Sequence, residues 1–140
     1  MSKAKDLSRL FSPRSIAVIG ASATSGKVGA IVLKNIINSG FPGKVYPVNP
    51  NAENINDLKC FKTILDLPEV VDLAVIAIPA ASVNEVLSQI GEKGVKNVVI
   101  YSAGFKEIGE DGKKLENQLI EIANKYALNI LGPNCLGFVN

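Results

Sequence analysis

The stretch that decides the fold covers residues 15–29 and reads SIAVIGASATSGKVG. Its first six residues, 15–20, are mostly apolar and rich in β-branched side chains, which is typical of a strand buried on both faces. Small residues follow, and an apolar pattern at helical spacing extends over residues 26–39. A buried strand that turns through glycines into a helix predicts the first unit of a parallel α/β sheet.

Four more apolar runs follow, over residues 44–48, 72–78, 97–102 and 128–131. Amphipathic patterns predict helices over residues 81–93 and 110–127, and residues 58–67 leave room for at most a short helix. We therefore expect an α/β fold in a single domain over residues 1–140: a Rossmann-like, doubly wound, parallel five-stranded sheet with helices on both faces.

Three finer expectations follow from this pattern. The strand order 3-2-1-4-5 is favoured by right-handed crossovers. The helix over residues 26–39 has few polar residues and is expected to be deeply buried. Residues 3–14 precede the first strand and are expected to pack their apolar side on the sheet edge.

The composition excludes several classes of function. A net charge of +2 is too balanced for the basic face of a nucleic-acid-binding protein. No apolar run reaches about 18 residues and the start carries no signal-peptide pattern, so no membrane partner is expected. The two cysteines lie far apart and offer neither a disulfide framework nor metal spacing, which favours the cytoplasm and no metal. Because histidine is absent, a Ser-His-Asp triad and a Cys-His pair are excluded within this chain.

Ligands of open α/β sheets bind beyond the carboxyl ends of the strands, where the strand order reverses. With the expected order, this point falls between the first and fourth strands. The loop over residues 20–29 lies at this edge and enters a helix, whose N-terminus suits a phosphate, and Lys27 adds a full positive charge. Gly26 is expected at a close approach of the backbone to that phosphate. The alternative is a purely structural turn in which Lys27 is solvated.

The same loop departs from two common nucleotide motifs. A P-loop needs four residues between its glycines and a hydroxyl after the lysine, but five residues separate Gly20 from Gly26 and Val28 follows the lysine. The dinucleotide fingerprint needs glycine where Ser22 and Ser25 stand, and no acid follows the second strand before residue 53. ATP hydrolysis and NAD binding at this loop are therefore disfavoured.

Six motifs in register carry a resemblance to a known family. They are LFSPRSIAVIGAS at residues 10–22, GKVG at 26–29, GKVYPVNP at 43–50, DLAVIAIPA at 72–80, SAGF at 102–105 and GPNCLG at 132–137. Together they resemble the N-terminal CoA-binding domain of the ADP-forming acyl-CoA synthetases, most closely the acetate–CoA ligases (ADP-forming) and more distantly the succinyl-CoA synthetase α subunit.

The resemblance implies that the domain binds coenzyme A and uses no catalytic residue of its own. The phosphates are expected at the loop over residues 20–29, the adenosine beside residues 48–51, and the thiol end near residues 134 and 135. The residues so implied are Gly20, Ala21, Ser22, Gly26, Lys27, Val28, Val48, Asn49, Asn51, Pro79, Ser102, Ala103, Gly104, Asn134 and Cys135. Asn51 stands where relatives often place a lysine, so Lys27 or Lys59 is a candidate for the 3′-phosphate.

In that family, an acid, ATP and CoA are interconverted with acyl-CoA, ADP and phosphate. The resemblance implies two partners for this domain: a domain with a phosphohistidine, and an ATP-grasp subunit or domain. The chain is expected to be an excised N-terminal part of such an enzyme, inactive alone. Two alternatives stay open: a CoA-responsive regulatory module, stand-alone or fused to a protein acetyltransferase, and an NAD-binding domain.

Overall fold

The structure is a computed structural model that describes residues 8–101 and 110–132. Its elements follow in chain order: α1 (Ser8–Phe11), β1 (Ser15–Ile19), α2 (Val28–Asn38), β2 (Lys44–Val48), β3 (Asn54–Ile55), β4 (Leu58–Lys59), a 3-10 helix (Ile64–Asp66), β5 (Leu73–Ile76), α3 (Ala80–Lys93), β6 (Asn97–Ile100), α4 (Glu110–Tyr126) and β7 (Asn129–Leu131). Five of the strands form one parallel sheet, in the order β2-β1-β5-β6-β7.

The sheet is covered by helices on both faces, as the apolar runs predict. Along β1, Val18 joins an apolar cluster with Leu33 of α2, whereas Ala17 and Ile19 join a second cluster with Leu87 of α3. Successive side chains of a strand point to opposite faces, so a continuous apolar run is required only where both faces are buried. The doubly wound, Rossmann-like architecture is therefore confirmed.

The predicted strand order is wrong in one respect. Numbered along the chain, the five long strands lie in the order 2-1-3-4-5, because β5 pairs with the side of β1 that faces away from β2. The physical reason lies in Pro47 of β2, which has no backbone N–H to give to a ladder and therefore suits an edge strand. The order 3-2-1-4-5 would have placed this proline inside the sheet. The strand order consequently reverses between β1 and β5.

The connection from β2 to β5 also differs from the prediction. It contains the two-stranded hairpin of β3 and β4, and of the short helix expected within residues 58–67 only one 3-10 turn is present. Asn56 and Asp57 form the hairpin turn with φ values of 51° and 66°. Positive φ at both central residues is the requirement of a type I′ turn, which asparagine and aspartate tolerate.

Two expectations about the helices are corrected. Only Gly29 and Leu33 of α2 are buried, and Ile31 on its outer side is 48 % exposed. A helix that lies on one face of a sheet buries a single stripe, however apolar its other side is. In α1, Leu10 packs into the apolar cluster that includes Leu33, and α1 contacts the inner strand β6 rather than the edge of the sheet. Residues 3–7 of the expected segment lie outside the described part of the chain. No helix in the described part is long and apolar enough to span a membrane.

An ion pair at the amino ends of the strands predicts acid sensitivity. The Asp72 carboxylate accepts hydrogen bonds from the Arg14 backbone N–H at 2.8 Å and from Arg14 Nε at 3.1 Å. Burial alone would raise the pKa of Asp72, but these hydrogen bonds and the charges of Arg14 and Arg9 outweigh burial, so this pKa lies below its ordinary value of 3.8. The stabilisation is complete above the ordinary pKa and is lost as the pH falls through the lowered one.

We expect Asp72→Asn to lower the free energy of unfolding at pH 7 by about 1 kcal/mol. In urea titrations the difference from the parent protein should shrink as the pH falls below 3.8 and through the lowered pKa of Asp72, below which the carboxyl is protonated in both states. Glu53→Gln, at an exposed acid that makes no ion pair with the described residues, is the control and should change little at either pH. A loss in Asp72→Asn that persists at the lower pH would contradict a role for the charge.

Candidate functional site

A cavity of about 850 Å³ opens at the carboxyl edge of the sheet. Its walls come from the segments that follow β1, β2, β5 and β6, from the chain after β4, from the start of α2 and from the first three turns of α3. This is the edge at which the strand order reverses, now between β1 and β5, where open α/β sheets bind their ligands. The volume lies within the range of about 300–1,000 Å³ that is usual for small-molecule sites.

The glycine loop after β1 is held tightly against the sheet. Gly20 adopts φ +89°, and its N–H donates to the Val48 carbonyl at 2.9 Å. A Cβ added at Gly20 would lie 2.3 Å from the Ala77 carbonyl oxygen, and one added at Gly29 would lie 1.8 Å from the Gly20 oxygen. Glycine at both positions therefore lets the start of α2 pack directly on the end of β1.

Two helix N-termini face this cavity. Helix α2 follows Lys27 and α3 follows Pro79, and neither residue donates or accepts a side-chain capping hydrogen bond. The first N–H groups of a helix lack partners within the helix and carry a partial positive charge. With the ammonium group of Lys27 beside them, these N–H groups favour an anionic ligand such as a phosphate or diphosphate.

Asn49 joins the loops that form the cavity. Its Nδ2 donates to the Ala21 carbonyl at 2.8 Å, and its Oδ1 accepts from the Asn51 backbone N–H at 2.8 Å. Its own N–H donates to the Phe61 carbonyl at 2.8 Å. One side chain thus fixes the glycine loop and the turn after β2 relative to each other.

We expect Asn49→Ala to lower the free energy of unfolding by about 1–2 kcal/mol, because two hydrogen bonds are lost, one of them partly buried. Thermal or urea denaturation measures this loss. Asn51→Ala is the matched control, since Asn51 is exposed and contributes only its backbone N–H to this network. Equal destabilisation in both variants would contradict the role assigned to the Asn49 side chain.

The residues implied by the resemblance are brought together to a large extent. Those that line the cavity are Gly20, Ser22, Lys27, Val28, Val48, Asn49, Asn51 and Pro79. Ala21 is fully buried behind the loop, where its carbonyl accepts from Asn49, and Gly26 does not line the wall. Ser102, Ala103, Gly104, Asn134 and Cys135 lie outside the described residues, so their roles stay predictions.

The lining residues that the sequence analysis missed include Lys62, Thr63, Glu85, Val86 and Gln89. Glu85, Val86 and Gln89 lie on α3, and the amphipathic pattern of this helix assigned each of them either to the core or to solvent. Helix α3 begins soon after the end of β5, and this was the signal that its first turns lie at the ligand edge. Lys62 and Thr63 could not be placed, because the sequence did not reveal the hairpin that returns the chain to this edge.

Lys59, one of the two lysines considered for a phosphate, does not line the cavity. It lies in β4, and its Nζ is 5.2 Å from the centre of the Phe61 ring, a cation–π distance. Cys60, beside it, is buried, and burial raises the pKa of its thiol, which leaves the thiol a packing group rather than a nucleophile.

Comparison with known proteins identifies the family to which this chain belongs. The model of the CoA binding domain family matches residues 14–140. Acetate–CoA ligase (ADP-forming) II of Archaeoglobus fulgidus is 51 % identical over 135 residues, which are 96 % of this chain and 20 % of that protein. The α subunit of acetate–CoA ligase (ADP-forming) I of Pyrococcus furiosus is also 51 % identical, over 95 % of this chain and 30 % of the relative.

A solved structure shares the fold closely. The dinucleotide-forming acetyl-coenzyme A synthetase 1 of Ca. Korarchaeum cryptofilum, in complex with phosphate and ADP, superposes with a TM-score of 0.89 at 45 % identity. The match covers 94 % of this chain and 28 % of that one. This chain thus spans between a fifth and a third of the length of the relatives that it matches. It belongs to the CoA-binding domain family, and coenzyme A is the ligand of that family.

Proposed function

We propose that this chain is the CoA-binding domain of an ADP-forming acyl-CoA ligase of the acetate–CoA ligase type. The position of the cavity carries the proposal. Four of the motifs by which the sequence resembles the ligases, at residues 10–22, 26–29, 43–50 and 72–80, supply residues to its walls. Each of these motifs thus contributes residues to the edge at which open α/β sheets bind their ligands.

The chemistry of CoA suits these walls. Its diphosphate would lie at the N-terminus of α2, where uncapped N–H groups and Lys27 offset its charge. The adenosine would lie towards the turn after β2, beside Asn49 and Asn51. The pantetheine arm would cross the reversal point past Pro79, and the thiol would leave towards the segments that follow β6 and β7. The domain's task is to hold the arm in a fixed direction, which lowers the entropy cost of the acyl-transfer step.

The remaining steps are assigned to other units. This chain has no histidine and cannot carry a phosphohistidine. We propose that it works as the N-terminal unit of a longer enzyme, with a phosphohistidine domain and an ATP-grasp domain or subunit as its partners. Relatives several times its length support this arrangement. The free thiol of Cys60 supports a cytoplasmic location, since disulfides are rare in that reducing compartment.

Calorimetric titration of the 140-residue chain with CoA tests the proposal, with dephospho-CoA and NADH as comparison ligands. We expect saturable CoA binding, weaker binding of dephospho-CoA and none of NADH. A companion assay with acetyl-CoA, ADP and phosphate should detect no turnover by this chain alone. Binding of NADH in competition with CoA, or no binding of CoA, would overturn the proposed function.

A further inference from the structure

Among the residues that the structure describes, two lysines line the cavity, Lys27 and Lys62. We propose that Lys62 binds the 3′-phosphate of CoA and is the residue by which this domain distinguishes CoA from dephospho-CoA. This inference rests on the proposed function, and it assigns a ligand contact to a residue that the sequence did not single out.

The backbone after β4 places Lys62 at the ligand edge. Phe61 pairs in parallel with Val48: its N–H donates to the Pro47 carbonyl at 2.9 Å, and its carbonyl accepts from the Asn49 N–H at 2.8 Å. Phe61 therefore runs alongside β2 in the same direction, and Lys62 emerges where β2 ends. Carboxyl ends of parallel strands meet at one edge, so Lys62 is set beside the turn that holds Asn49.

The residues after Lys62 hold it there. The Thr63 N–H and side-chain hydroxyl both bond to the Asp66 carboxylate, at 3.3 and 3.4 Å, and the following Ile64 is fully buried. These contacts anchor the backbone, whereas the Lys62 side chain itself is exposed. A long flexible cation on an anchored backbone suits an ester phosphate that stays partly hydrated.

The charge of Lys62 is not used elsewhere. Within residues 8–101 and 110–132, its side chain makes no ion pair and no hydrogen bond, not even with Glu85, an acid of the same cavity. The ammonium of Lys59 differs, since it lies over the Phe61 ring and away from the cavity. Lys62 thus offers a full positive charge to a ligand, and Lys59 does not.

The two lysines lie at places that match the two phosphate positions of CoA. Lys27 stands at the N-terminus of α2 beside the glycine loop, where the diphosphate is proposed. Lys62 stands on the β2 side, near Asn49 and Asn51, where the adenosine is proposed. The 3′-phosphate of CoA is attached to the ribose of that adenosine, separated from the diphosphate by the sugar. A cation on the adenosine side therefore recognises the 3′-phosphate and not the diphosphate.

The test titrates CoA and dephospho-CoA into the parent chain and into Lys62→Ala, Lys59→Ala and Lys27→Ala by calorimetry. We expect Lys62→Ala to weaken CoA binding about tenfold, which is typical of one charge-assisted contact, and to change dephospho-CoA binding less than about twofold. Lys27→Ala should weaken the binding of both ligands alike. Lys59→Ala is the matched surface control and should weaken the binding of neither ligand. Thermal unfolding of Lys62→Ala should equal that of the parent chain, since the side chain is exposed.

The results separate the assignment of Lys62 from the proposed function. If the parent chain prefers CoA and Lys62→Ala keeps that preference in full, the assignment of Lys62 is overturned and the proposed function stands. Equal weakening of both ligands in Lys62→Ala, or loss of the preference in Lys59→Ala, would likewise overturn the assignment alone. Failure of the parent chain to bind CoA would overturn both proposals. Partial rescue of the preference by Lys62→Arg would support a charge contact.

Discussion

Replacement of Gly29 by alanine will destabilise the domain by about 3 kcal/mol, at the upper end of what overpacking usually costs. The added Cβ would lie 1.8 Å from the Gly20 carbonyl oxygen and 2.7 Å from its carbon, both of them backbone atoms. Gly20 cannot move away, because its N–H is bonded to the Val48 carbonyl and its Cα faces the Ala77 oxygen. Helix α2 must therefore lift from the sheet.

Urea denaturation of Gly29→Ala measures the effect, and Gly26→Ala is its control in the same loop. A Cβ at Gly26 meets no atom within 4 Å, so only the cost of its φ of +90° remains, about 1–2 kcal/mol. The difference between the variants isolates the steric contact. If both lose the same free energy of unfolding, close packing of α2 on β1 does not stabilise the fold in the way that the geometry indicates.

Gly26→Val is expected to reduce CoA affinity about 100-fold while the domain still unfolds cooperatively. Gly26 does not line the cavity, so the effect is indirect. A β-branched residue does not tolerate φ +90°, and the turn must change conformation. Lys27 follows Gly26 directly, and the N–H groups of Val28 and Gly29 begin α2. A changed turn at Gly26 therefore displaces all of these groups of the proposed diphosphate site together.

Gly40→Val is the matched control for this measurement. Gly40 has φ +79°, and a Cβ there also meets nothing within 4 Å, but it lies beyond the C-terminal end of α2, away from the cavity. Both variants should lose similar stability in thermal unfolding, and only Gly26→Val should lose CoA affinity in calorimetry. Equal CoA affinity in the two variants would remove the glycine loop from the phosphate site.

Much of the site could be predicted because the loops that form it follow strands directly. Gly20, Asn49 and Pro79 lie within a few residues of the ends of β1, β2 and β5, so a correct reading of the strands places them at one edge. Even the wrong strand order left them there, since every parallel strand ends at that edge. Lys62 was missed because no sheet strand precedes it, and only the pairing of Phe61 with Val48 places it there.

The sequence by itself determined the α/β class, the number of long parallel strands and the edge of the sheet that holds the candidate site, because apolar runs and glycine turns are local signals of burial and backbone conformation. Only the tertiary structure decided which side of β1 receives β5, how much of α2 is covered and which lysine reaches the cavity. These depend on pairing between residues far apart in the chain. Pro47 was the one local residue that marked β2 as an edge strand, because a backbone without an N–H cannot complete a ladder.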